Sequence, residues 1–127
     1  GYLKQHPSIR LVLDLHRDAT DESAAQLDTS ALVNGVESAQ LMLVVGTRQE
    51  DWQSNMALAV KLTALLEKRH PGITRPISFR TQRFNQDLSP GALLVEVGAA
   101  GNSRQEALTA AKVLADAIIA LSKGANY

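Results

Sequence analysis

The chain lacks cysteine and has few aromatic residues, with one Trp, two Tyr and two Phe among 127 residues. The absence of cysteine excludes disulfide bonds, thiol catalysis and thiolate zinc sites. Basic and acidic residues number 13 each, so the formal net charge is zero. This balance argues against a nucleic acid or an anionic membrane surface as a partner bound mainly through charge. No apolar run approaches the roughly 18 residues that a membrane span needs, and the composition is that of one globular domain.

The apolar segments predict five strands, two of which form a hairpin. Ile9–Leu15 is a nearly continuous apolar run, which is typical of an inner strand covered on both faces. Asn34-Gly35 is a strong hairpin signal between the arms Thr29–Val33 and Val36–Val45. Ile73–Thr81 is a weaker strand, and Pro76 within it indicates an edge or a bulge. The last predicted strand is Ala92–Val97, which ends at Gly98.

Two segments have helical periodicity. Asp51–Arg69 repeats apolar residues at helical spacing and ends before Pro71-Gly72. Ser103 to Glu106 has the S-x-x-E pattern of a capping box and opens a helix that runs through Leu121. Strands followed by helices predict an α/β fold with a mixed, largely parallel sheet flanked by helices.

Chemistry-bearing residues stand at the ends of two predicted strands. The segment "LDLHRDA" brings His16 to one strand end, and "LLVEVG" brings Glu96 to the corresponding end of another. In open α/β sheets, ligands bind outside the carboxyl ends of parallel strands. Strand alternation puts Asp14 and His16 on one side and Arg17 on the other. A histidine at a strand end is more often a structural residue than a ligand or a catalyst.

Glu96 needs an explanation because apolar residues flank it. Burying an unpaired carboxylate costs several kcal/mol, so Glu96 requires an ionic partner, a metal or a function. Arg17 and Arg80 are the candidate ionic partners. The loop Gly98–Ser103 is a second candidate site, because free N–H groups at a helix start bind phosphate or carboxylate. Its G-x-x-G pattern is only a weak nucleotide signal.

Several motifs together resemble a known family. They are "VLDLHRDA", the "NG" hairpin, "VVGT", "WQSN" and "FNQDLSPGALLVEVGAAGNSRQEA". In this order they resemble the stage II sporulation protein P family of endospore-forming bacteria. That family belongs to the zinc-dependent N-acetylmuramoyl-L-alanine amidases, whose fold is a three-layer α/β/α arrangement.

The resemblance implies roles for six residues. His16 would be a zinc ligand and Glu96 the catalytic carboxylate. Substrate-binding or supporting roles would fall to Arg17, Asp18, Asn85 and Gln86. The implied reaction is cleavage of the bond between N-acetylmuramic acid and L-Ala of peptidoglycan stem peptides during engulfment. The implied setting is extracytoplasmic and facing the cell wall, with a membrane anchor outside this chain and other sporulation proteins as partners.

The chain departs from the family pattern because the family supplies its other zinc ligands upstream of the D-L-H-R-D-A motif. Residues 1–127 are therefore expected to be the C-terminal portion of one catalytic domain, without its N-terminal strands. We expect zinc binding by this chain to be weak or absent, activity alone to be weak or absent, and the uncovered edge to favour self-association. The alternative is a non-catalytic module of the same fold that binds peptidoglycan or a partner protein.

Overall fold

The computed structural model describes residues 1–18, 29–82 and 86–124. These residues form three helices and six strands, together with a 3₁₀ turn at Gln86–Leu88. In chain order they are α1 (Tyr2–Gln5), β1 (Val12–Asp18), β2 (Ser30–Val33), β3 (Val36–Ala39), β4 (Leu41–Gly46), α2 (Trp52–Arg69), β5 (Ser78–Arg80), β6 (Ala92–Ala99) and α3 (Arg104–Ser122).

The main sheet has four strands in the order β1-β6-β4-β5. The pairs β1–β6 and β4–β5 are parallel, and β4–β6 is antiparallel. The predicted α/β fold with a mixed, mostly parallel sheet flanked by helices is therefore confirmed. Among the described residues, no helix combines the length and the apolar character that crossing a bilayer requires.

The predicted hairpin is present, but its second arm is divided. Asn34 and Gly35 both have positive φ, at 51° and 79°, as a type I′ turn requires. β2 and β3 form a separate two-stranded sheet. Gln40 interrupts the predicted arm by donating its N–H to Thr29 and accepting from Gly98. The chain then continues as β4, whose six residues are all buried in the main sheet.

The two long helices share one hydrophobic core with one face of the main sheet. Buried residues of α2, α3, β4 and β6 belong to a single cluster, including Leu62, Leu114, Leu43 and Val95. The opposite sheet face carries a small cluster of Met42, Val44 and Leu94. Side chains alternate between faces along a strand, so this second face is also the one that carries Glu96.

β1 differs from its predicted position. The apolar run predicted an inner strand, but among the described residues β1 pairs with β6 alone and forms an edge of the sheet. Leu15 in its centre is 56% exposed. The prediction is wrong for this structure because an apolar run reports which side chains favour burial and not how many neighbours the strand acquires. β5, at the other edge, agrees with the edge position that Pro76 indicated.

Candidate active site

His16 and Glu96 occupy paired positions on adjacent parallel strands. In the register of β1 with β6, His16 lies opposite Glu96, and Asp14 lies opposite Leu94. Directly paired residues share a face of the sheet, so the imidazole and the carboxylate stand on the same face. The predicted placement of both residues at corresponding strand ends is confirmed, and the two strands are neighbours in the sheet.

Glu96 is buried, with only 5% of its surface exposed. Its Oε1 lies 4.0 Å from Nη1 of Arg80, so the structure pairs it with Arg80 and not with Arg17. Arg80 belongs to β5, and β4 lies between β5 and β6. The arginine side chain therefore reaches across β4, and its positive charge offsets part of the cost of burying the carboxylate.

His16 is accessible, with 48% of its side chain exposed. Its Nε2 lies 2.8 Å from Oδ1 of Asp14, two residues earlier on the same face of β1. A carboxylate at one ring nitrogen fixes the orientation of the imidazole and leaves the other nitrogen for a second partner. Strand alternation predicted the common side of Asp14 and His16, and this contact confirms it.

Arg17 points to the other side and ties β1 to the turn that follows β6. Its guanidinium donates to the carbonyl oxygen of Ala99 at 3.0 Å and to that of Asn102. Both acceptors lie just beyond Glu96 in the chain. Arg17 therefore fixes the position of the β6–α3 turn relative to β1, and with it the end of the strand that carries the carboxylate.

The β6–α3 turn is held by Asn102 and by the glycine that begins the bend. Gly98 has φ of +70°, and a β-carbon there would lie 2.7 Å from Oδ1 of Asn102. That same Oδ1 accepts from the N–H of Ala99 at 2.8 Å and from the hydroxyl of Thr29. A side chain at position 98 would therefore displace the acceptor that closes the turn.

The start of α3 is occupied by its own carboxylate. Ser103 and Glu106 form both hydrogen bonds of the predicted capping box. Hydrogen bonds from the backbone and side chain of Ser103, and then from Asn102, lower the pKa of Glu106 to about 2. A negative charge already lies at this helix start, so the geometry argues against the phosphate site that the G-x-x-G pattern suggested.

Of the remaining candidate residues, the structure describes the side chain of Gln86 but not those of Asp18 and Asn85. Gln86 is buried and holds the end of β4, accepting from the N–H of Gly46 at 2.9 Å and donating to the carbonyl of Val44 at 2.8 Å. Asp18 ends β1 and pairs with Ala99 after an irregularity in register, and its side chain lies outside the described part. Asn85 also lies outside the described residues.

Sequence reasoning missed the structural role of Asn55. This residue is 1% exposed, and its amide nitrogen donates to the carbonyl oxygens of Ser89, Pro90 and Ala92. The three bonds tie the first turns of α2 to the segment that leads into β6. An asparagine within a helix is locally unfavourable, and that mismatch is the signal that could have identified it.

The described residues do not complete a metal site. No group of three or more His, Asp or Glu side chains able to hold a metal ion occurs among them, whereas a catalytic zinc takes three protein ligands and a water. His16 has a ring nitrogen to offer, and Glu96 is close to an arginine. The donor set within this part of the chain is thus smaller than zinc requires.

The fold and the site define an α/β protein whose candidate active site pairs a buried carboxylate with an accessible histidine on parallel strands. Residues 1–119 match the family described as Stage II sporulation protein P. The stage II sporulation protein P of Bacillus subtilis (strain 168) is 31% identical over 119 residues, which cover 90% of this chain and 29% of that relative. The chain belongs to the stage II sporulation protein P family, which confirms the resemblance seen in the motifs. No solved structure matches it.

Proposed function

We propose that this chain is part of a cell-wall hydrolase that acts during sporulation, at engulfment. The bond cut joins N-acetylmuramic acid to the first L-Ala of a peptidoglycan stem peptide. The observation that carries the proposal is the cross-strand pairing of His16 with Glu96, in a chain whose family is named for sporulation. The pairing brings together two groups capable of proton transfer or ligand binding at one end of a parallel strand pair.

Glu96 is proposed as the catalytic carboxylate. It would take a proton from the attacking water and deliver it to the nitrogen of the leaving amine. Its burial near a strand end, directly opposite His16, supports this role, because buried carboxylates beside other ionisable groups are concentrated at functional sites. Arg80 at 4.0 Å keeps a positive charge beside it.

His16 is proposed as one ligand of a zinc ion, with the other ligands supplied by residues outside the described part. Arg17 would support the site by fixing the turn after Glu96, and Gln86 by fixing the end of β4. Asp18 and Asn85 are proposed to contact the substrate or the ligands. These assignments rest on the family motifs that contain them.

The proposed setting is outside the cytoplasmic membrane, against the cell wall, with anchoring by a segment outside this chain. Peptidoglycan is the proposed substrate, and other sporulation proteins are proposed as partners. The edge of β1 exposes Leu15. An unpaired strand edge with an apolar side chain is a template for association, so self-association of this chain is proposed as well.

The test compares this chain with an N-terminally extended version of the protein. Zinc content is measured by elemental analysis, and products released from purified peptidoglycan are identified by mass spectrometry. We expect the extended protein to hold one zinc and release peptides with a free N-terminal Ala. His16→Ala should lose both properties. Glu96→Gln should keep the zinc and lose activity by at least about 100-fold. His6→Ala, at an exposed histidine, should change neither.

Two results would overturn the proposal. Retention of stoichiometric zinc by His16→Ala would remove His16 from the ligand set. An extended protein that binds peptidoglycan and releases nothing would identify the non-catalytic module of the same fold instead.

A further inference from the structure

A cavity of about 480 Å³ lies at the end of the sheet away from Glu96. The loop at 48–51, the start of α2 and the segment 86–90 form its walls. Gln86 in the cavity wall accepts from the N–H of Gly46, the last residue of β4, at 2.9 Å. Glu96 lies on β6, opposite Met42 of β4. Met42 is four residues from Gly46, which is about 13 Å along β4 at ~3.3 Å per residue. The cavity and the His16–Glu96 pair are therefore separate places on the sheet.

Buried amides hold the walls of this cavity in place. Asn55 and Gln86 are 1% and 2% exposed. Asn55 bonds the backbone of Ser89 and Pro90 and accepts from the side chain of Gln49, and Gln86 bonds the backbone of β4. These hydrogen bonds fix the wall residues relative to one another. The cavity is consequently pre-formed, and a ligand would pay little to order it.

The lining offers charges of both signs. Arg48, Glu50 and Asp51 are exposed at the cavity. Asp51 accepts from the hydroxyl of Ser54 at 2.8 Å, whereas Arg48 and Glu50 form no ion pair with any residue that the structure describes. Leu88, which is 59% exposed, adds an apolar wall.

We propose that this cavity binds a short peptide that carries both a free carboxylate and a free amino group. Arg48 would bind the carboxylate, Glu50 would bind the ammonium group, and Leu88 would contact the side chain between them. A ligand with only one charge would leave either the arginine or the glutamate unmatched. The inference goes beyond the proposed hydrolysis and does not depend on it, because the three residues proposed to contact the ligand have no proposed role in that reaction. Gln86, in the cavity wall, is the one residue shared with the proposed support of the His16–Glu96 site.

The test is a titration of the ¹⁵N-labelled chain followed by NMR. Four probes are compared: the dipeptide Ala-Ala, its N-acetylated form, its C-terminal amide and free alanine. We expect Ala-Ala to shift amide signals of 47–51 and 86–89, and each blocked form to bind about two- to fivefold more weakly, as the loss of one exposed ion pair implies. Weaker binding of free alanine would show that the site takes a peptide, whereas equal binding would show that it takes an amino acid and would overturn the peptide assignment.

Matched variants separate the cavity from general charge effects. Arg48→Gln should weaken the binding of Ala-Ala and of its N-acetylated form and leave the binding of the C-terminal amide unchanged. Glu50→Gln should weaken the binding of Ala-Ala and of the C-terminal amide and leave the binding of the N-acetylated form unchanged. Arg104→Gln, at an exposed arginine on α3, should have no effect. Both cavity residues are exposed, so the variants are expected to fold, which unchanged spectra outside the cavity would verify. Absence of shifts at 20 mM Ala-Ala, or shifts insensitive to both substitutions, would overturn the proposal.

Discussion

Gly91 approaches Arg10 so closely that a β-carbon at position 91 would lie 2.1 Å from the Arg10 carbonyl oxygen. The contact is with backbone, so no side-chain rotation relieves it. Gly91 precedes β6 and accepts the hydrogen bond from the N–H of Val12 at 2.9 Å, which starts the pairing of β1 with β6. Gly91→Ala should therefore push β1 from β6 and lower the free energy of unfolding by about 2 kcal/mol, as measured by urea denaturation.

Gly35→Ala is the comparison for this substitution. Position 35 has positive φ and no atom within 4 Å of the added carbon, so it reports backbone strain alone, about 1 kcal/mol. In NMR spectra, Gly91→Ala should shift signals of β1 around His16, whereas Gly35→Ala should affect only the hairpin. A Gly91→Ala variant of unchanged stability would show that β1 is not held where the structure puts it.

Asn55 should be among the most sensitive polar positions of the chain. Asn55→Ala removes the donor shared by the carbonyls of Ser89, Pro90 and Ala92. Leaving buried acceptors without a donor costs about 1–3 kcal/mol, despite the better helix propensity of alanine. Gln53→Ala, on the exposed side of the same helix, should be neutral or slightly stabilising. Equal thermal unfolding midpoints for the two variants would contradict the assigned role of Asn55.

The local signals in the sequence located most elements. The helical period and the Pro-Gly stop predicted α2, the capping box predicted the start of α3, and Asn34-Gly35 predicted the hairpin. Each of these signals acts within a few residues, so it is readable without the fold. The division of the hairpin arm at Gln40 was not readable, because it depends on bonds to Thr29 and Gly98, which are distant in the sequence.

The features of the candidate site likewise fall into those that local sequence signals predicted and those that they did not. His16 and Glu96 were predicted to lie at corresponding strand ends, because strand ends and motifs are local features. The choice of Arg80 over Arg17 as the ionic partner depends on the strand order β6-β4-β5, which no local pattern specifies. The edge position of β1 and the role of Asn55 likewise come from tertiary neighbours. Strand order and tertiary contacts were therefore the information that sequence reasoning lacked.

Glu106 should make stability depend on pH in acid. Hydrogen bonds led by the Ser103 backbone N–H lower its pKa from 4.5 to about 2. A carboxylate whose pKa is lower in the folded state than in the unfolded state stabilises the fold fully at a pH above its unfolded-state pKa. This contribution is lost as the pH falls toward its folded-state pKa. Between pH 4.5 and about 2, the stability of the wild type should approach that of Glu106→Gln. Urea denaturation curves that stay equally separated at pH 3 and pH 7 would contradict this expectation.

The pairing of Arg80 with Glu96 can be tested through stability, without an activity assay. Arg80→Met leaves the buried carboxylate without the guanidinium at 4.0 Å. Breaking a fully buried pair costs about 3–5 kcal/mol, but Arg80 is 36% exposed, so screening by solvent reduces the expected loss to about 1–2 kcal/mol. Glu96→Gln added to Arg80→Met removes the charge that was left behind and should restore part of that loss.

The double-mutant cycle then gives the coupling between the two side chains, expected at about 1 kcal/mol. Arg104→Met serves as the control for loss of an arginine, and surface substitutions of this kind change stability by less than about 0.5 kcal/mol. A coupling near zero would mean that Arg80 does not compensate the buried charge. The carboxylate would then have to be stabilised by its other neighbours, and the positive charge assigned to the candidate site would lie elsewhere.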